Sequence, residues 1–362
     1  MSLDNLRSGI NEIDSQLVKL LAERLKLSRE IGVEKARTGQ SITDLSREAS
    51  VIANIRRLAT DEGADAESVE NIYRRIIAAS KSVQGARVAF QGEPGAYSQQ
   101  AAFNFFGAEV ETKPCETLED VFAVVERGDA PFAVVPVENS LEGSISKTYD
   151  LLLESPLKVS GEVNLRVSHC LIAAPGSALE NIKTVYSHPQ ALGQCQAFLR
   201  HLGCRTISSL DTAGSVKMIK DEGLLNAAAV ASARSASIYG MKILANCIED
   251  NASNFTRFFV LSKEDTLPTG NDKTSLVFSV KDRPGSLFDF LRELSVRGIN
   301  LSKIESRPTR RKPWEYNFYL DFLGHCRDAR VAEVLSSLES HVIFLKVLGS
   351  YPRAAADTGE QP

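Results

Sequence analysis

The opening stretch of the chain leaves little choice but helix. Apolar side chains recur at alternating steps of three and four: Leu3, Leu6, Ile10, Ile13, Leu17, Leu20, Leu27 and Ile31. That spacing is the seam of a long helix packed on other helices. Arg24 occupies the seam position between Leu20 and Leu27. An unpaired charge inside a seam is strongly destabilising. Either the seam opens there onto something anionic, or Arg24 snorkels to solvent from its edge.

Lys35 returns to within about 20° of the Arg24 face, roughly 16 Å further along the axis. Two cationic side chains bent toward each other grip a small dianion. Arg7 lies about 25 Å from Arg24 along the axis, too far to share that ligand from the same helix. If Arg7 serves the site, it comes from a second, antiparallel copy, so a dimer is expected. After the break at Thr38-Gly39-Gln40, a second amphipathic stretch carries Asp44, Arg47 and Glu48 in its first turns. Asp44 and Glu48 share a face, as pocket groups or as acids favoured by the helix dipole. A third stretch follows Gly63, with Val69, Ile72, Tyr73, Ile76 and Ile77 on one face, and runs on into Ser80 and Gln84. Polar groups that extend a core stripe need partners. The sum is an all-helical polar pocket without a metal-ligand cluster or a nucleophile–base pair.

These residues carry a resemblance. Residues 1–84 are similar to the helical class of chorismate mutase, an intertwined dimer of three-helix chains, through Arg7 and Arg24 in LR and ERLKL, Lys35, the stretch DLSRE, Ser80 and Gln84. The resemblance implies a pericyclic rearrangement of chorismate to prephenate, which needs a folded near-attack conformer and stabilisation of the ether oxygen. It implies that Arg7, Arg24 and Arg47 hold carboxylates, that Lys35 and Gln84 donate to the ether oxygen, and that Glu48 accepts the ring hydroxyl. Asp44 and Ser80 complete the set.

Composition suits a multidomain enzyme. The 362 residues hold 42 Lys+Arg against 46 Asp+Glu, a net charge of −4, and no basic patch speaks for nucleic acid. No apolar run reaches membrane-spanning length, and the N-terminus reads as a helix, not a signal peptide. The six cysteines show no CxxC spacing, so disulfides and zinc are not expected, and a cytoplasmic location is.

Helical periodicity ends at Gln84-Gly85. Short β-rich runs follow at 87–91, 132–137, 167–174, 184–187, 227–231 and 255–261, alternating with helical stretches, which predicts an α/β fold with ligands at strand ends. Several strand ends lead into small polar residues: Gly92 to Ser98, Glu138-Asn139-Ser140, Ser187-His188-Pro189-Gln190, and Asp211-Thr212 to Ser215. Each is readable as turn and cap chemistry. Four in one domain favour a carboxylate-binding cleft.

Residues 86–262 resemble prephenate dehydratase, through GEPGAYS, VPVENSLEGSI, YSHPQALGQC and NFTRF. The resemblance implies two lobes closing on a cleft, as in periplasmic binding proteins, and places the essential threonine on Thr256. The implied substrate ligands are Ser98, Glu138, Asn139, Ser140, Ser187, His188, Gln190, Thr212, Thr256 and Arg257. In a regular strand Arg257 points away from Thr256, so the strand is irregular there, or Arg257 is structural or reaches the ligand from another direction.

Glu264 to Asp272 reads as a Pro/Gly linker. From Thr274 to Tyr351 the pattern is strand, helix, strand, strand, helix, strand, a ferredoxin-like sheet. It resembles the ACT regulatory domain. Glu305-Ser306-Arg307-Pro308 matches the motif that, with the glycine loop, senses phenylalanine; that loop reads Gly285-Ser286-Leu287, where many relatives have Ala in place of Ser286. Trp314 reads as a hydrophobic anchor in a loop. The expected organisation is a helical mutase domain (1–85), a two-lobed dehydratase (86–263), a linker (264–272), an ACT domain (273–353) and a disordered tail (354–362). Their order implies a bifunctional chorismate mutase/prephenate dehydratase inhibited by phenylalanine, a homodimer or larger, without cofactor or metal. An arogenate-preferring dehydratase and a non-catalytic small-molecule sensor are the alternatives.

Overall fold

A computed structural model describes residues 3–38, 45–82, 87–309 and 315–354. The expectations for Asp44, Gln84, the Gly39-Gln40 break, Trp314 and the tail beyond Ala354 fall outside these residues. The chain forms two compact units, Met1–Val88 with Phe103–Glu111, and Ala89–Ala102 with Thr112–Pro362.

The first unit is built on α1 (Leu3–Thr38), α2 (Leu45–Asp61) and α3 (Ala66–Ser82). Gly63, at φ 72°, makes the left-handed turn between α2 and α3. Asp65 then caps α3 by accepting from the Ser68 amide at 2.7 Å. The α1 seam behaves differently from the expectation of a packed helix. Leu3, Leu6, Ile10, Ile13, Leu17, Leu20, Leu27 and Ile31 are all exposed within the chain, Leu20 and Leu27 among them although Arg24 between them reaches α3.

The second unit is organised by three sheets. The first contains β1 (Arg87–Gln91), β2 (Glu111–Cys115), β3 (Phe132–Asn139), β4 (Gly143–Ser144), β5 (Lys158–Arg166) and β11 (Phe255–Ser262), in the order β2-β1-β3-β11-β5 with β4 beside β3. Its helices are α4 (Tyr97–Phe106), α5 (Leu118–Arg127) and α6 (Ser146–Glu154). α5 begins with a reciprocal Thr117/Asp120 capping box and ends at left-handed Gly128. The second sheet, in the order β10-β6-β9-β7-β8, comprises β6 (Cys170–Ala173), β7 (Thr184–Ser187), β8 (Arg205–Ser208), β9 (Ala227–Ala231) and β10 (Lys242–Ala245). It carries α7 (Pro189–Gly193), α8 (Gln196–Leu202), α9 (Thr212–Glu222) and α10 (Ala233–Tyr239). Apolar clusters on both of its faces bury β9 completely, which explains a strand of alanines and one valine without alternation. The chain crosses between these lobes twice, after Arg166 and again before Phe255.

The third sheet has the order β13-β14-β12-β15, with β12 (Asp272–Ser279), β13 (Leu301–Pro308), β14 (Tyr316–Leu323) and β15 (Phe344–Pro352), and helices α11 (Ser286–Val296) and α12 (Ala329–Leu338). This is the ferredoxin-like arrangement. Its other face joins the core of the first lobe, where Val277, Tyr319, Leu348 and Tyr351 pack with Val135, Phe259 and Leu261. At Gly349 a Cβ would lie 2.1 Å from the Val159 carbonyl oxygen, so β15 runs directly against β5.

Candidate functional site

In the helical unit Arg24 does not snorkel. Its guanidinium turns to α3, donating to the Ile76 carbonyl at 3.4 Å and to the Ser80 hydroxyl. Ser80 is buried and passes its own proton to Ile76 O at 2.9 Å, so its oxygen is presented to Arg24. Glu48 pairs with Lys81 at 2.8 Å, a partner the sequence did not single out. Arg7 is exposed, 4.0 Å from Asp4 and far along α1 from Arg24. Arg47 is exposed near the start of α2. Lys35 lies within α1, its side chain outside the described set.

The centre of the second unit is the antiparallel pair β3 and β11. Their register sets Thr256 opposite Asn139 and Arg257 opposite Glu138, with an irregularity just after Arg257. Directly opposed residues share a face and successive residues alternate, so the two pairs address opposite sides of the sheet.

On one side, the Asn139 amide can point only one way. Its Oδ1 accepts from the Leu141 and Glu142 backbone amides at 3.0 and 3.1 Å. Its Nδ2 therefore donates, to Asn254 Oδ1 at 2.8 Å and to Thr256 Oγ1 at 3.0 Å, with Phe255 O at 3.2 Å. Thr256 is buried, and its oxygen is an acceptor in this bond. The hydroxyl proton stays available for a ligand. Ser140 staples the start of β11: its amide donates to Phe255 O at 2.8 Å, its hydroxyl donates to Ser253 O at 3.0 Å, and it accepts from Phe255 N at 2.9 Å.

Asn254 leads on to the other lobe. Its Nδ2 donates to Gln194 Oε1 at 2.9 Å, and Gln194 Nε2 donates to Glu142 at 3.1 Å. His169 Nε2 is 2.9 Å from the same Gln194 oxygen, and its Nδ1 is 2.9 Å from the Tyr97 hydroxyl. Burial pushes the His169 pKa down, against the pull of Gln194 and Glu249. A cavity of about 330 Å³ borders this line, walled by Glu142, Gln194, Glu249, Asp250 and Asn254; its acidic wall repels a dianion.

The other expected cleft residues are dispersed among local tasks. Ser187 donates to Val230 O at 2.6 Å, and His188 accepts from the Gln190 amide at 3.3 Å. Thr212 opens α9, which Asp211 caps through the Gly214 amide at 2.6 Å. Ser98 is buried near the start of α4. The lobes touch there: Gly95 O accepts from Ser232 and Ser235 at 2.7 and 3.0 Å. A Cβ on Gly95 would lie 2.7 Å from Ser235 Oγ.

Arg257 and Glu138 sit on the face of the sheet opposite Thr256; for Arg257 this is the structural alternative that strand alternation left open. Arg257 donates to Glu162 at 2.8 Å, Asp321 at 2.6 Å and the Tyr351 hydroxyl at 2.9 Å. Burial opposes its charge, but Tyr351, Asp321 and Glu162 outweigh burial and hold the guanidinium firmly protonated. Glu138 pairs with Lys303 at 2.9 Å. The sequence missed Lys303, because its partner lies on another sheet. Strand β13 alternates accordingly. Lys303, Glu305 and Arg307 turn toward the first lobe, Glu305 to Ser144 and Arg307 to Ser146 O at 2.6 Å and Asp150 at 3.4 Å. Ser306 and Pro308 are exposed. Gly285 adopts φ 87° before α11, Ser286 is buried and accepts from Arg283, and Leu287 packs on the sheet's core. No hydrogen bond joins this loop to residues 305–308 among the described residues.

Tyr97, His169, Gln194 and Asn254 also went unrecognised. Three lie inside or beside stretches already singled out; His169 has no local signal, since its side-chain partners are 72 and 25 residues away.

Among the described residues no group of acidic, His or Cys side chains is placed to hold a metal, and no helix is long and apolar enough to cross a membrane. The chain matches three family descriptions in order: Chorismate mutase type II over residues 6–85, Prephenate dehydratase over 88–266 and ACT domain over 274–340. A bifunctional chorismate mutase/prephenate dehydratase of Aquifex aeolicus (strain VF5) is 42% identical over 359 residues, 97% of this chain and 98% of that protein. Arogenate dehydratase/prephenate dehydratase 1, chloroplastic, of Arabidopsis thaliana is 44% identical over 282 residues, 74% of this chain and 72% of that protein. A prephenate dehydratase from Arthrobacter aurescens, solved in complex with L-Phe, superposes with a TM-score of 0.69 at 32% identity, covering 74% of this chain and 90% of that one.

Proposed function

Since the chain belongs to the bifunctional chorismate mutase/prephenate dehydratase family, we propose that it rearranges chorismate to prephenate in its helical unit and converts prephenate to phenylpyruvate between the two lobes. Phenylalanine then acts as feedback effector through the ACT region.

The orientation of Asn139 toward Thr256 carries the dehydratase assignment. The C–C bond to the ring carboxylate breaks and releases CO2. Its electron pair moves into the ring, the ring C–O bond breaks, and hydroxide departs. The dianion becomes one phenylpyruvate monoanion, one CO2 and one hydroxide. Aromatisation drives the step, so the protein's task is to desolvate the carboxylate and stabilise the departing oxygen. Thr256 supplies a hydrogen bond to that oxygen. A neutral hydroxyl is too weak an acid to transfer its proton fully, and the Asn139 donation polarises it in the useful direction.

The mutase reading rests on Arg24, held over α3 by Ser80, with Lys35 on the same helix, and with Arg47, Glu48, Asp44 and Gln84 as further ligands. Arginine forks match carboxylates, and positioning alone serves a unimolecular rearrangement. The exposed α1 seam supports a homodimer in which a second copy covers it and its Arg7 completes the site. Domain limits of 1–85, 86–263 and 273–353, and a cytoplasmic location, belong to the same proposal.

Purified protein given chorismate should produce prephenate and then phenylpyruvate, and added phenylalanine should slow the second step. If neither product forms, the enzyme reading is wrong. Competition between prephenate and arogenate tests the preference that the plant relative's name raises. Arg24→Ala should abolish only the mutase. A monomeric protein with full mutase activity would remove the shared site.

A further inference from the structure

The hydrogen bonds around Thr256 form one line whose polarity is set at its ends. The Leu141 and Glu142 amides fix the Asn139 amide. Asn139 Nδ2 then requires Asn254 to present Oδ1, so Asn254 Nδ2 faces Gln194. Gln194 must present Oε1 there, which leaves its Nε2 to donate to the Glu142 carboxylate, as found at 3.1 Å. Each amide is thus oriented by its neighbour, and none can flip without setting two donors or two acceptors face to face.

The far end is His169. Its Nε2 lies 2.9 Å from Gln194 Oε1, an oxygen already oriented as an acceptor, so that nitrogen carries the proton. In the neutral ring Nδ1 is then an acceptor, and the one proton of the Tyr97 hydroxyl is shared between it at 2.9 Å and the Ser168 carbonyl. Tyr97 is also 2.7 Å from Ser168 O, and the His169 backbone is tied to Glu249 at 2.8 Å. The ring sits where the chain first crosses between lobes, between Tyr97 of the first lobe and Gln194 of the second.

We propose that His169 is a positioning residue of the dehydratase. Its Nε2–H donates to Gln194 Oε1 and so helps hold in place the amide on which Asn254, Asn139 and Thr256 are lined up, while the direction of the Asn139 amide itself is set by Leu141 and Glu142. Without it the Gln194 side chain keeps only Asn254 and Glu142 as partners among the described residues, one tie fewer, so the Asn254 amide and the Thr256 hydroxyl beyond it are held less closely in place. The inference rests on the dehydratase reading above and adds to it a residue that touches no substrate.

Steady-state kinetics on the full chain test it. His169→Leu keeps an apolar side chain but no donor, and should lower kcat for phenylpyruvate about tenfold to a hundredfold, since each tenfold is one lost interaction of ordinary size. KM should move less than about threefold and mutase activity not at all. His169→Gln retains an amide donor and should regain most of kcat. In a Gln194→Leu background, His169→Leu should cost almost nothing more, because the line is already cut. A His169→Leu enzyme within about twofold of wild-type kcat would overturn the proposal. So would a loss that Gln does not regain, or full additivity with Gln194→Leu. Nitrogen-15 shifts of His169 in the wild-type chain give a readout that needs no folded Leu variant: the Nε2–H tautomer is expected, and the Nδ1–H tautomer refutes the line. Wild-type protein that forms no phenylpyruvate overturns the dehydratase reading as well; an active wild type with an indifferent His169 overturns the line alone.

Discussion

The two sides of the β3–β11 pair are built from different chemistry. Toward the cleft stand Thr256 and Asn139, continued by Asn254 and Gln194, all neutral and all oriented by one another. One residue along each strand, Arg257 and Glu138 face the third sheet, among Glu162, Asp321, Lys273 and Lys303. A neutral line has direction but little long-range field, so it orients the Thr256 hydroxyl without adding a charge of its own. A charged cluster has a strong field but tolerates exchange of partners, which suits a joint between two sheets. The sharpest way to separate the sides is Thr256→Ala. It should lower phenylpyruvate formation by about two to three orders of magnitude, the usual cost of one donor to a developing oxyanion. Prephenate formation from chorismate in the same sample should be unchanged. Equal loss of both activities would mean that the sites are not separate.

Arg257 gives the converse. If it belongs to the joint, Arg257→Met should damage the fold before the chemistry. Glu162 and Asp321 have side chains only 1% and 5% exposed, and among the described residues removing their shared cation leaves Asp321 buried without a cation and Glu162 with Lys273 alone. Such a break costs about 3–5 kcal/mol, read as a lower midpoint in urea. An Arg257→Met protein of normal stability but without dehydratase activity would return Arg257 to the cleft.

These neighbours also mark how far the sequence could be read. The α1 periodicity, the strands at 87–91, 184–187 and 227–231 and the helix order of the third sheet were legible because each is a local pattern repeated over several residues. β5 was not. It carries Gly161 and Glu162 where alternation should continue, because β15 passes over it and Arg257 and Lys273 need the carboxylate. Asn139 could be singled out from a strand-end motif, and Thr256 through the resemblance to prephenate dehydratase. Their mutual orientation could not, since it depends on the hairpin register that brings Asn139 to Thr256 and Asn254, and no sequence separation predicts a hydrogen bond between distant side chains. For Arg257 the sequence left a choice between an irregular strand and a structural role, because adjacency in a strand means opposite faces; β11 keeps its regular pairing from Thr256 to Arg257 before the irregularity begins, which favours the structural role.

Packing holds the far side together as well as charge does. Gly349→Ala inserts a methyl where the Val159 backbone already stands, and backbone cannot give way as a side-chain end does. An overpacked contact of this kind costs about 1–3 kcal/mol, less than loss of the Arg257 cation. It should also pull Tyr351, two residues further along β15, away from Arg257. A substitution tolerated without change in the urea midpoint would mean that β15 and β5 are not in close contact in solution.

The smallest effect is expected at Lys303, and it asks whether the far side speaks to the cleft at all. Lys303 bridges Glu138 at 2.9 Å and Glu305 at 3.4 Å and donates to Ser144 at 2.7 Å. Glu138 is the residue before Asn139, and Glu305 belongs to the stretch proposed to respond to phenylalanine. Lys303→Met keeps an unbranched apolar stem and removes the charge, together with its cation–π contact with Tyr149. Without phenylalanine the dehydratase kcat should stay within about twofold of wild type, because the neutral line to Thr256 does not include this lysine. The phenylalanine concentration for half-inhibition should rise about fivefold, the lower end of ordinary coupling between sites. Unaltered inhibition would confine the charged side to holding two sheets together. A fall in basal kcat with unaltered inhibition would show instead that the two faces of the strand pair are not independent, and that the charge behind Asn139 helps orient it.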